Sequence, residues 1–197
     1  MNTFYLVRHG EQVRSAGDPE LSDRGVQQAK TTGHYFKDKK INTIFSSPIK
    51  RAKMTAEIMA EELSLEITVD DRLRERINWG DIPNQSFEEF LQVWRKTILD
   101  RHYQPENGDS SHIAGQRLTQ AILHKATDKD NQQVILVSHG GFISDIVRSL
   151  LGDEKADQAG SSIFQSSGVS HCSVTTLTED NGEIKVISCD NIDHITD

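Results

Sequence analysis

Residues 4–10, FYLVRHG, and residues 134–140, VILVSHG, are two copies of one device: an apolar run that ends in a His-Gly pair. Four apolar residues in succession at 134–137 mark a strand buried on both faces, as in a parallel sheet. The run at 4–8 is the same kind of element, closed by His9-Gly10. In an open α/β sheet, ligands bind beyond the carboxyl ends of the strands, where strand order reverses. If these two strands are neighbours, His9 and His139 stand side by side at that edge. One such histidine would more often merely end a strand. Two matching endings argue for a site.

Outward from these runs, strands and helices alternate. Ser22 is a good N-cap for the first helix, and Leu21 can staple against Val26. A strand at 41–45 leads into Ser47-Pro48, read as cap and first helical position. Ile49, Ala52, Ala56, Met59 and Leu63 keep one apolar face through that helix. A short strand is expected at 66–69 and helices at 87–99, 114–126 and 141–151, with 102–113 as loop. Residues 173–177 and 183–188, joined by Asn181-Gly182, read as a hairpin. The fold class is therefore α/β. We expect a three-layer sandwich with a mostly parallel central sheet, helices on both faces and an antiparallel C-terminal edge.

The 197 residues suit one domain spanning 1–197, and no repeat or low-complexity linker divides them. No apolar run nears the ~20 residues needed to cross a bilayer. The start, MNTFYLVRHGEQ, lacks a basic n-region and cleavage site, so the expected address is the cytoplasm. A net charge of -8 argues against nucleic acid and anionic membranes as partners. It leaves room for a small phosphorylated ligand held by a few converging arginines. Cys172 and Cys189 are too few for a disulfide framework. Neither heads a Cys-x5-Arg phosphate loop, because Thr178 and Ile195 hold the sixth positions. Cysteine-phosphatase chemistry is excluded.

Arg51 falls in the first turn of a helix that follows a strand. A helix N-terminus with an adjacent guanidinium suits an anion, and the plain alternative of a solvated surface side chain suits the neighbouring Lys50 and Lys53 better. Arg8 points to the opposite face from His9 in an ideal strand. It shares the site only if the alternation breaks at the strand end, which Gly10 allows.

Arg8-His9-Gly10-Glu11, the block Ser46-Ser47-Pro48 with Arg51-Ala52, Leu73-Arg74-Glu75 and Ser138-His139-Gly140-Gly141 stand in the order and spacing of a known clan. The chain resembles the phosphatase branch of the histidine phosphatase superfamily, which also holds the cofactor-dependent phosphoglycerate mutases. Leu21-Ser22, Gly108-Asp109-Ser110 with Arg117, and Asn191 with His194 extend the likeness over nearly the whole chain. The resemblance implies that His9 is a nucleophile that becomes phosphorylated. Arg8, Arg51 and His139 would hold the phosphoryl group, and Glu75 would protonate the leaving oxygen. Gly140 would join them on the substrate side. Two guanidiniums and an imidazole neutralise a transferring phosphoryl group without metal or cofactor.

Two departures stand out. Ser15 occupies the position, six residues after His9, where relatives often carry Asn, and its hydroxyl is a candidate phosphate donor. The Trp-Glu-Gly that often follows the acid is replaced by Trp79-Gly80-Asp81. The implied activity is a metal-independent phosphomonoesterase acting on a small phosphorylated metabolite. The alternative is a phosphoglycerate mutase-type transfer between sugar-acid phosphates. For it stand Arg76, as a grip for a carboxylate or second phosphate, and the cluster Trp94-Arg95-Lys96. A metallohydrolase wants ligands at short fixed spacing, and no HxxxH or HxD cluster occurs. A catalytically dead binding module would not need all five catalytic positions filled. Neither the substrate nor the oligomeric state follows from the sequence.

Overall fold

The computed structural model describes residues 1–126, 131–160 and 168–195. One sheet holds six strands: β1 (Asn2–Arg8), β2 (Thr43–Ser46), β3 (Ile67–Val69), β4 (Gln133–Ser138), β5 (Val174–Asp180) and β6 (Glu183–Asn191). Their order is β3-β2-β4-β1-β5-β6. The first four in that order are parallel; β5 runs antiparallel to β1, and β6 to β5. Asn181 (φ 51°) and Gly182 (φ 86°) turn the terminal hairpin with two positive φ angles, the I′ geometry that Asn-Gly favours. The antiparallel C-terminal edge is as the sequence reads.

Strand alternation sorts the core into two layers. Val7, Ile44, Ile135 and Val137 pack with Phe36, Ala52, Ala56 and Met59, beneath α1 (Asp23–Tyr35) and α2 (Lys50–Leu63). Phe4, Leu6, Val134 and Leu136 pack on the other side against Leu118, Ile122, Phe142 and Ile146. These come from α4 (Ser111–Ala126) and α5 (Gly140–Leu151). The four central side chains of β4 are buried, as a strand covered on both faces requires. Truncating Leu136 to Ala would remove a fully buried side chain and cost about 2–5 kcal/mol.

The register sets the site. Arg8 pairs with Ser138 across the β1–β4 ladder, so His9 and His139 leave adjacent strand ends together. The His9 N–H continues the ladder onto the Ser138 carbonyl at 2.9 Å. Ser22 caps α1 as expected, accepting the Gly25 N–H at 3.1 Å. Leu21 and Val26 lie in one apolar cluster. Gly10 and Gly25 let the chain after β1 pass against the first turn of α1. A Cβ on Gly10 would lie 2.5 Å from the Gly25 carbonyl oxygen.

Three local expectations shift. Helix α2 begins at Lys50 rather than Pro48, because Ser47 still takes the Val137 carbonyl at 3.0 Å, as a strand residue does. Helix α4 begins at Ser111, inside the segment read as loop, where the Ser110 hydroxyl accepts the Ile113 N–H at 3.2 Å. A helix α6 (Asp153–Gly160) and a 3-10 turn (Asp71–Leu73) were not anticipated. Helix α3 (Phe87–Leu99) lies as expected and is closed at its start by a capping box of Ser86 and Glu89. Among the described residues, no helix is long and apolar enough to cross a membrane.

Candidate active site

His9, just past the end of β1, is 4 % exposed, and its imidazole is held at both nitrogens. Nδ1 lies 2.8 Å from the Gly10 carbonyl oxygen. A carbonyl only accepts, so Nδ1 carries the proton. Nε2 is then the basic nitrogen, and it accepts the Arg51 Nε–H at 3.0 Å. Burial, then Arg51, His139 and Arg8, hold His9 well below its usual pKa. The ring is a neutral base with its lone pair aimed into a cationic pocket.

Arg51 sits in the first turn of α2, buried, and its Nη1 donates to the Asn78 side-chain oxygen at 3.1 Å. The free N–H at the start of α2 is less available than the sequence suggests. The Lys50 N–H is taken by the Asp18 carboxylate at 2.7 Å. Arg8 lines the same cleft as His9. Strand β1 ends at Arg8, so the pleat does not dictate where His9 points. The Arg8 guanidinium donates from Nη1 to the Val169 carbonyl, and burial lowers its pKa to about 10, which leaves it cationic at neutral pH.

His139 is fully buried at the N-cap of α5, its ring centroid 5.3 Å from that of His9. Its Nε2 meets the Ser47 hydroxyl at 2.8 Å, and burial, then Arg51 and Arg8, keep it neutral. Its Nδ1, like Arg8 Nε, is a buried polar atom without a hydrogen-bond partner among the described residues. A buried polar atom left unpaired costs about 1–3 kcal/mol, and Arg8, which lines the cleft as His139 does not, can recover that cost on an acceptor-rich, anionic guest.

Glu75 reaches the cleft by a different route. After β3, the 3-10 turn anchors Leu73 in the core, and the Ser138 hydroxyl donates to the Leu73 carbonyl at 2.7 Å. That brings the next residues over the end of β4. One Glu75 oxygen accepts the Arg76 N–H at 2.9 Å, the other the Gly141 N–H at 3.0 Å. Gly140, which opens α5, and Ser15 also line the cleft.

Arg76 does not join them. Its side chain is turned inward, 2 % exposed, and bonds Asp145 at 2.9 Å and Thr97 at 3.0 Å while lying 3.9 Å over the Trp94 ring. The expectation of a substrate-gripping Arg76 is corrected by that ion pair. Arg95 and Lys96 are exposed on α3 and are not among the cleft's lining residues, whereas Trp94 is.

Other lining residues escaped the sequence. His171 has its ring 5.7 Å from His9, and burial, then Arg8, Arg24 and Arg51, push its pKa down to about 3. Its position follows from the hairpin: β5 runs antiparallel to β1, so residues before β5 stand at the same edge as His9. Asn78 holds the loop at 10–20 in place, donating to the Gly17 carbonyl at 2.9 Å. Ile77, Trp79, Phe87, Phe90, Leu91 and Trp94 supply the apolar lining of a cleft of about 340 Å³. Among the described residues, no group of three or more His, Cys, Asp or Glu is arranged to hold a metal ion.

The chain is similar to known proteins over most of its length. A probable phosphoglycerate mutase GpmB of Erwinia tasmaniensis is 30 % identical over 164 residues, 77 % of this chain and 76 % of that one. A protein named uncharacterized phosphatase PhoE, of Bacillus subtilis, is 32 % identical over 161 residues, covering 78 % and 80 %. Among solved structures, a histidine-to-alanine mutant of Entamoeba histolytica phosphoserine phosphatase, bound to phosphoserine, shares the fold. Its TM-score is 0.78 at 24 % identity, with both chains covered in full. The profile of the histidine phosphatase superfamily (branch 1) matches residues 4–192, and the chain belongs to that superfamily.

Proposed function

We propose that this chain hydrolyses phosphate monoesters through a phosphohistidine formed on Nε2 of His9. The observation that carries the reading is the pair of contacts on the His9 ring, Nδ1 to the Gly10 carbonyl and Nε2 to Arg51. They leave one lone pair, already facing a guanidinium, as the nucleophile. As substrate enters, Arg51 exchanges that lone pair for a phosphoryl oxygen. Nε2 then attacks phosphorus as the ester P–O bond breaks. The ring keeps its Nδ1 proton and becomes cationic, with the Gly10 carbonyl accepting. Arg8, Arg51 and His139 face the charge on the phosphoryl oxygens, and the unpartnered Arg8 Nε gains an acceptor there. Glu75 gives its proton to the leaving oxygen and, as carboxylate, takes one from the water that cleaves the N–P bond. Ser15 and Gly140 line the same cleft as further phosphate or substrate contacts.

The mutase reading loses support because Arg76, its proposed second anion grip, is spent on Asp145. Hydrolysis through these cations needs no metal. The test is His9→Ala: turnover of an aryl phosphate should fall by roughly 10⁴-fold or more. Mass spectrometry after acid-free quenching should find one phosphate on His9 of the parent protein. Wild-type activity should persist in chelator. Phosphate on a serine or cysteine, or activity lost to chelator and restored by a divalent cation, would overturn the reading.

A further inference from the structure

The apolar lining of the cleft bears on what the phosphoryl group is attached to. We propose that the preferred substrates are phosphate monoesters of a bulky, apolar, ring-bearing alcohol rather than of a small carboxylated one. The inference rests on the phosphatase reading of the same site and names its substrate class.

Helix α3 presents Phe87, Phe90, Leu91 and Trp94 at spacings of three, four and seven, so they share one helical face. That face lines the same cleft as His9 and belongs to none of the core clusters. Trp79 meets Phe87 edge-on at 4.9 Å, Phe87 stacks toward Phe90 at 6.3 Å, and Phe90 lies 5.9 Å from Trp94. The result is a continuous aromatic wall. It is also held in place. The Trp79 indole N–H donates to the Gln85 carbonyl at 3.1 Å, and Trp94 is backed by the Arg76 guanidinium, itself fixed by Asp145.

The cations of the cleft are distributed unevenly. Arg8 and Arg51 stand beside His9, where the phosphoryl group goes. Toward the mouth, the cation among the described lining residues is Arg14, exposed and lying 4.6 Å over the Phe87 ring. Beyond Arg8 and Arg51, the described residues lining the cleft include no buried lysine or arginine. A carboxylate there would lose water against aromatic faces without a fixed partner, whereas a ring would find edge-to-face and stacked contacts.

The experiment compares kcat/KM of the full chain for ethyl phosphate, 2-phenylethyl phosphate, O-phosphoserine and 3-phosphoglycerate. All four have alkyl leaving groups, so the comparison reports binding more than leaving-group chemistry. We expect 2-phenylethyl phosphate to exceed both carboxylated esters by about tenfold or more, in the range hydrophobic pockets deliver. Phe90→Ala should shrink the ratio of phenylethyl to ethyl phosphate, and Phe90→Leu, which keeps the packing volume closer, should shrink it less. A preference for phosphoserine or 3-phosphoglycerate, or a ratio indifferent to both Phe90 variants, overturns the inference. If that preference is lost with His9→Ala, the phosphatase reading survives and only the substrate class is wrong. If no ester is turned over, or turnover survives His9→Ala, both fall together.

Discussion

Arg76 and Asp145 form an ion pair at 2.9 Å with side chains only 2 % and 3 % exposed, so neither charge has water to fall back on. Burial holds the Asp145 pKa above its ordinary value, and Arg76 and the Ser111 hydroxyl, 2.5 Å away, offset only part of that rise. The pair ties α5 to the segment carrying Glu75, since the Arg76 N–H is one of the two donors that hold that carboxyl group.

Breaking the pair should cost more than deleting it. Asp145→Asn leaves a buried guanidinium uncompensated and should destabilise by about 3–5 kcal/mol in chemical denaturation. The double variant Arg76→Met with Asp145→Leu should lose less than the sum of the single losses, because no charge is stranded. Strictly additive losses would show that the two residues do not act as a pair.

How far the sequence could be read follows from the range of each interaction. The paired runs at 4–10 and 134–140 disclosed the sheet, because an apolar run closed by His-Gly is a local pattern and parallel register places the two ends together. Asn181-Gly182 disclosed the hairpin for the same reason. Arg76 was misjudged because its partner is 69 residues away, and nothing local separates a buried arginine from a substrate-binding one. The aromatic stripe of α3 is visible as helical spacing, but spacing alone cannot say whether a face meets core or cleft. His171 was within reach, since an antiparallel β5 must begin where β1 ends.

Phosphate or vanadate should raise the melting temperature, because a ligand that binds only the folded state stabilises it. At a hundredfold excess over Kd the gain is about 2.7 kcal/mol. For a chain of this size that is roughly 5–10 °C. Arg51→Ala should remove most of the shift, as it deletes the guanidinium now resting on His9. An unchanged shift would remove Arg51 from the anion site.

Stability should fall below about pH 6.5. His9 and His139 are held well below their usual range, and His171 near 3, whereas in the unfolded chain each titrates near 6.5. As pH drops through 6.5, the unfolded chain takes up protons that the folded one refuses, so unfolding becomes easier until the folded values are reached. Each histidine contributes at most about 1.4 kcal/mol per pH unit. Chemical denaturation between pH 7.5 and 5 should therefore show a shallower decline for His171→Asn than for the parent protein. Identical slopes would mean that His171 protonates freely in the folded state.

The leaving-group dependence of Glu75→Gln bears most directly on the chemistry. A general acid matters in proportion to how poor the leaving group is, because a good one departs without a proton. A positioned acid typically contributes 10²–10⁴-fold, so the substitution should cost about that much with an alkyl phosphate. With a nitrophenyl ester the loss should shrink to roughly tenfold or less. The substitution also has a structural effect. Both Glu75 oxygens accept backbone N–H groups, and the amide nitrogen of Gln cannot accept either. That disturbance falls on both substrates alike, so the difference between them isolates proton donation. Dephosphorylation needs the same control, since Glu75 is also the proposed base for water, and a limiting second step would slow both esters equally. Burst kinetics separate the first step. An equal first-step loss for the two leaving groups would show that Glu75 is not the acid. Glu11 and Asp81 would then be next to test, although each is already engaged. Glu11 accepts from the Ser22 hydroxyl at 2.7 Å, and Asp81 from the Asn78 N–H at 3.1 Å. Neither is among the residues lining the cleft, and Glu75 is.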